Sequence, residues 1–318
     1  MMKSRRELLF LYDIRKGNPN GDPDENRPRV FPDGTYYVTD VRLKRFVRDY
    51  VKQKGHDILV DRVGGQATHL TGRVADYLDG KGVTRPSGEE LVKAILGAFV
   101  DARWFGSSLA FKKEGGKKGW DPKPSPKTLT GPVQFNHGEI LHPASEIEIF
   151  GTSVFASDEG KTQGTFTSYY GLQYGLVGFH GIANEHSARF TGMTADDYEL
   201  LLDGLWKGVR SAGNTRTKLD QLPRLLLSLE YKEGSDFQLG DLLSRISLSA
   251  SEQKNPANWT SIQDYQLHLE KLFQDLERVK SKLERIRLQI CPDLKLSSSF
   301  PDSLQDLIVR MDLDQLGG

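Results

Sequence analysis

The chain has 318 residues, 43 basic and 43 acidic side chains and an apolar fraction of 37%, room for one large domain with insertions or two smaller ones. Zero net charge excludes a uniformly basic nucleic-acid binder, so contact with a polyanion requires its cations to be gathered on one face. The lone Cys291 excludes an internal disulfide, and the apolar run after the basic N-terminus is too short for a signal peptide or a membrane span, so a soluble, cytoplasmic protein is expected.

Residues 7–14 are apolar at nearly every position and predict a strand buried on both faces. Residues 18–29, NPNGDPDENRPR, then combine Asn, Gly, Pro and Asp into a rigid loop, with Arg27 and Arg29 as forked donors at its exit. A helix is expected at 40–54, capped by Thr39 or Asp40. Leu43, Phe46, Val47 and Tyr50 make its apolar stripe. Arg42, Lys44, Arg45, Arg48, Lys52 and Lys54 are expected on its other face against only Asp49, a bias that favours phosphate contact. Glycine and proline breaks over 64–98 indicate an irregular, partly helical insertion. Strands are expected at 102–111 and 128–136, with a mobile basic loop at 112–127 between them.

Alternation over 145–155, a turn-like 157–165 and extended character over 166–183 predict a long hairpin. Gly171, Gly175, Gly178 and Gly181 in its returning strand read as a surface closely approached by another backbone or a ligand. Thr194 and Asp197 form a capping-box pattern before a helix carrying Tyr198, Leu201, Leu202, Leu205 and Val209. Lys207, Arg210, Arg216 and Lys218 form a second basic cluster, balanced by Asp220, before an alternating strand of Leu225, Leu227, Leu229 and Tyr231. The order strand, helix, strands, helix, strand is that of an α+β, ferredoxin-like or RRM-like fold, whose sheet face takes single-stranded RNA. From Tyr265 to Ile290 the apolar residues follow a 4-3 spacing that predicts a helix ending at Pro292. With a short helix at 303–313 it forms a helical hairpin or offers its seam to a partner helix.

No established catalytic or metal motif appears. Asp22, Asp24 and Asn26 alternate as in a calcium loop, but its sixth position is Arg27 and its twelfth Asp33. His137/His142 and His180/His186 lack metal-ligand spacing, and no cysteine joins them. No phosphate-binding glycine loop, nucleophile elbow or dinucleotide fingerprint is present, and no cofactor is expected.

The run YDIRKGNPNGDPDENRPR followed by VTDVRLKR resembles the repeated backbone subunit of type I CRISPR surveillance complexes (Cascade), closest to the I-B and I-C forms. TGPVQF from Thr130, FHGIANE from Phe179 and NTRTK from Asn214 extend the likeness in order across residues 7–235. The resemblance implies a non-catalytic protein with an RRM-like palm over 1–254, a helical insertion at 55–100, a thumb-like hairpin at 143–170 and a C-terminal helical segment at 255–318. It implies copies of this chain polymerising head to tail along crRNA beside other Cascade subunits and presenting the guide to target DNA. Carried over by residue, Asn18, Asn20, Arg27, Arg42, Lys44, Arg45, Arg216 and Lys218 contact phosphate or sugar. Lys161, Gln163, Thr165 and Phe166 form the thumb tip, with Phe166 stacking on a base. Two rival readings stay open: an RNA endonuclease on this fold using Asp33 or Asp24, and an RNA-binding protein that does not polymerise.

Overall fold

The computed structural model describes residues 1–66, 68–113, 119–152, 166–213 and 216–314. Its first half runs β1 (Arg6–Gly17), β2 (Tyr37–Val38), α1 (Asp40–Gln53), α2 (Leu70–Gly80), α3 (Gly88–Ala98), α4 (Val100–Phe105), β3 (Gly106–Ser108) and β4 (Thr128–Thr130). Then come β5 (Val133–Phe135), β6 (Gly138–Ile140), β7 (Glu146–Thr152), β8 (Phe166–Ala183), α5 (Glu185–Thr191), α6 (Ala195–Ser211) and β9 (Gln221–Tyr231). The remainder is β10 (Ser247–Ala250), β11 (Tyr265–His268), α7 (Glu270–Arg278), β12 (Leu283–Ile290) and β13 (Ile308–Arg310). Among the described residues no helix is long and apolar enough to cross a membrane.

β1 is the axis of the sheet because its side chains are apolar on both faces and must be covered twice. It pairs antiparallel with β8 on one side and β9 on the other, in the order β13-β12-β9-β1-β8-β6-β2. β7, β6 and β5 pair in succession along the far edge of β8, so three short strands fill the place of one long one. Leu8, Phe10 and Tyr12 face α1 and α6, where Leu43, Phe46, Val47, Tyr198, Leu201 and Leu205 close one core. Thr39 caps α1 by accepting from the Arg42 N–H, and Thr194 and Asp197 form a complete capping box on α6. The two helices touch closely at Gly208, where a Cβ would lie 2.7 Å from the Phe46 carbonyl oxygen. Residues of α2, α3 and α4, with Leu59 and Trp120, build a separate small core.

The opposite sheet face is covered. Leu9, Leu11, Leu225, Leu227 and Leu229 are buried beneath Leu267, Leu272, Phe273, Leu276 and Phe300 of the tail. The expected helix over 265–290 is therefore not formed: α7 spans nine residues, and the chain then continues as β12, antiparallel to β9. The 4-3 spacing was compatible with both outcomes, because Ile286, Leu288 and Ile290 also alternate as in a strand. The β9 edge decides it by pairing the backbone of β12, while Arg285 reaches Glu230 at 2.8 Å. Residues 302–310 form a 3-10 turn and β13 in place of the expected second helix. The sheet face expected to take RNA is thus covered by the chain's own tail.

Three local expectations also change. Residues 100–105 form a helix, stopped by Gly106 at φ 70°, because the buried Asp101 accepts from the Leu59 and Val60 N–H groups and pairs with Arg48. Within 119–127 the loop is tethered by Trp120, whose Nε1 donates to the Pro86 carbonyl at 2.7 Å. Gly171 is approached by another backbone as expected, a Cβ there lying 2.9 Å from the Gly17 carbonyl, whereas Gly175, Gly178 and Gly181 make room for Ile140, Leu141 with Leu243, and Phe135, so the space at these three serves internal packing.

Candidate nucleic-acid interface

The loop over 18–29 is held by its own polar groups. Asn18 is buried: its N–H donates to the Thr217 carbonyl, its Nδ2 donates to the Asn26 carbonyl at 2.6 Å, and its own carbonyl accepts from Lys218 Nζ. Asn20 Oδ1 accepts from both the N–H and the hydroxyl of Thr39, tying the loop to the cap of α1. The Asp22 carboxylate accepts from the N–H groups of Asp24, Glu25, Asn26 and Arg27. Desolvation pushes against ionisation there, and these donors overcome it, holding Asp22 below the usual carboxylate range. This is a turn-stabilising role for a residue at a calcium-loop position. Asp33 likewise accepts from the Thr35 N–H at 2.9 Å.

Arg27 leaves the loop to pair with Glu146 of β7 at 2.8 Å, and its guanidinium lies 4.5 Å from the Tyr170 ring centre. It thereby fastens the loop to the β7–β8 ribbon while remaining half exposed. The cations of α1 separate into different environments. Lys44 is buried against Asp40 at 2.9 Å, and Arg48 is buried against Asp101 at 2.8 Å. Arg45 pairs with Asp49, and Lys52 with Asp61 at 2.6 Å. Arg42 instead lies over the Phe46 ring, 4.3 Å from its centre. The helix is less one-sided than its own sequence indicates, because Asp61 and Asp101 arrive from outside it.

Arg42 and Lys218 meet across a cavity of about 630 Å³ between α1 and the end of α6, also lined by Asp49, Lys52 and Ser211. Burial, and then the nearby Arg42 guanidinium, push the Lys218 ammonium down to about 7. Burial lowers Arg42 as well. An anion entering this cavity would relieve the repulsion between the two cations and restore the charge on Lys218. Lys52 joins the site although it was not among the residues singled out by resemblance; its place on the stripe of Arg42, Asp49 and Gln53 was readable from helical spacing.

Of the expected contacts, the structure thus brings together Asn18, Arg42 and Lys218, with Asn20 bracing the loop. Arg27, Lys44 and Arg45 point into separate ion pairs. Phe166 opens β8 opposite Thr152. Its side chain, that of Arg216, and Lys161, Gln163 and Thr165 lie outside the described residues. His180 faces Glu7 at 3.3 Å, and His142 Nδ1 faces the Pro143 carbonyl at 2.7 Å. Among the described residues Glu185, His186 and Asp236 have ligand atoms within 4.8 Å of one another, but Glu185 is already paired with Arg5.

The family model of CRISPR-associated protein Cas7 matches residues 4–270. The CRISPR-associated protein Cas7 of Haloferax volcanii is 33% identical over 297 residues, which cover 90% of this chain and 86% of that protein. Among solved structures, a chain from a CRISPR RNA-guided surveillance complex superposes with a TM-score of 0.52 at 14% identity, covering 97% of this chain and 95% of its own. A chain from such a complex in a pre-nicking state gives 0.53 at 14% identity, covering 97% and 96%.

Proposed function

Because the chain belongs to the CRISPR-associated protein Cas7 family, we propose that it is the non-catalytic backbone subunit of a type I surveillance complex, closest to type I-B. Copies polymerise head to tail along crRNA, beside other subunits of the complex, and present the guide for pairing with target DNA. The observation that carries this reading is the convergence of α1, the end of α6 and the turn before β9 on one cavity that holds Arg42, Lys52 and Lys218, with the loop tied to it by the Asn18–Lys218 hydrogen bond. These segments are far apart in sequence, and a polyanion is the ligand that would draw Arg42, Lys52 and Lys218 to one place.

The strand order β9-β1-β8-β6, with α1 and α6 on one face, supports a ferredoxin-like, RRM-like palm. α2 and α3 form the helical insertion, and β7 with the start of β8 forms the base of the thumb. Since the tail occupies the sheet face, the RNA runs along the loop edge, over Asn20, Arg27, Arg42, Arg45, Arg216 and Lys218, with the buried Asn18 holding Lys218 in place. Lys161, Gln163, Thr165 and Phe166 act at the thumb tip, and Lys44 acts through Asp40 in the first turn of α1. Zero net charge suits a subunit whose acidic and basic faces meet in successive copies.

Charge removal tests the reading. Arg42→Ala and Lys218→Ala should each weaken binding to RNAs of unrelated sequence alike and reduce the salt slope by about 1. Unchanged affinity and slope in both variants would refute the assigned path.

A further inference from the structure

Phe31, Tyr37 and His137 lie together at the sheet edge. The Phe31 and Tyr37 rings are stacked, with centres 4.0 Å apart and planes 12° apart. His137 is 5.7 Å from Tyr37, tilted by 32°. Core aromatics of this protein, such as Tyr12, Phe46 and Phe179, are almost wholly buried; Phe31 and Tyr37 are only part-buried, and the His137 side chain is 49% exposed.

The stack is rigidly mounted. Val30 and Tyr36 bridge the short turn that carries Phe31, and the Phe31 N–H donates to the Thr35 carbonyl at 2.9 Å. Tyr37 belongs to β2, the last strand of the sheet, and its N–H donates to the Arg29 carbonyl. His137 Nδ1 faces Asp40, which also holds Lys44. Two residues after Tyr37, Thr39 binds Asn20 of the loop assigned above to RNA. A preformed planar stack beside such a loop offers a π-face that any base can extend, at little cost in side-chain ordering.

We propose that Phe31, Tyr37 and His137 form a stacking platform for a base of the single-stranded nucleic acid whose backbone follows the 18–29 loop. The inference rests on the nucleic-acid reading above, and its contribution differs from that of the cation cavity: it depends on bases and is insensitive to salt.

The test compares an oligoadenylate with a base-free ribose-phosphate strand of the same length, with binding measured at several salt concentrations. The full chain is used as wild type, Phe31→Leu, Tyr37→Leu and Phe31→Tyr. The wild-type preference for the base-bearing strand should fall roughly tenfold in each leucine variant, persist in Phe31→Tyr, and leave the salt slope unchanged. Phe31→Tyr keeps a ring and controls for folding. An equal preference in wild type and leucine variants, or a loss that tracks the salt slope, would overturn the platform. Wild-type failure to bind either strand would bring down the underlying nucleic-acid reading, and the platform with it. Repeating the series with deoxyadenylate separates the sources: a fall confined to RNA assigns the platform to the guide, and one with both sugars assigns it to either strand.

Discussion

Residues of similar charge on α1 have different tasks, and their surroundings separate them. Arg48 is buried against Asp101, whose carboxylate also accepts from two backbone N–H groups. Arg48→Met should therefore leave a buried carboxylate short of a partner and cost about 3–5 kcal/mol of stability, readable as a lower denaturation midpoint. Lys218 makes the opposite prediction. Its folded pKa of about 7 lies below the ordinary lysine value of 10.5, so the unfolded chain binds more protons between them. The cost of burying its charge is full below about pH 7, and this group's contribution to stability rises with pH up to about 10.5. A bound phosphate recharges it, so RNA affinity should fall by at most about tenfold per pH unit above about pH 7. Lys218→Arg should abolish that component, as shown by titrating affinity across this range in both proteins. Sequence made Arg42 and Lys218 visible as members of basic clusters, but not that they face one cavity. Nor did it reveal that Asp61 and Asp101 neutralise their neighbours, since those pairings cross loops of unreadable geometry.

At the scale of elements, β1, α1, α6 and β9 were legible because each carries a single strong period or a cap. Thr194→Ala removes one half of the α6 capping box and should lower stability by about 1 kcal/mol, measured by thermal or denaturant unfolding. The tail was not legible. Its 4-3 spacing fits a helix until Leu283, and only the presence of an unpaired β9 edge turns the remainder into β12. Leu276→Ala, at a fully buried position between α7 and the sheet, should cost about 2–5 kcal/mol in the same assay. Ending the chain at residue 254 should expose Leu9, Leu227 and Leu229 and yield an aggregating product, because the tail is the second half of the sheet's burial. A soluble, cooperatively unfolding truncated chain would show the tail to be a separable appendage.

For the whole molecule, the tail closes the sheet face, and the proposed function therefore takes the loop edge as the path of nucleic acid, beside the hairpin ribbon to which Arg27 fastens that edge. If copies polymerise as proposed, each neighbour raises the effective concentration of the next contact, and affinity is gained by repetition. The loop motif carried the family likeness in sequence, whereas the occlusion of the sheet emerged only from the folded tail. Binding to single-stranded RNAs of increasing length, with complex mass measured in the presence of magnesium, tests polymerisation most directly. Mass should rise in uniform steps with RNA length while the RNA stays intact. One copy per RNA at every length, or RNA shortened during incubation, would contradict it.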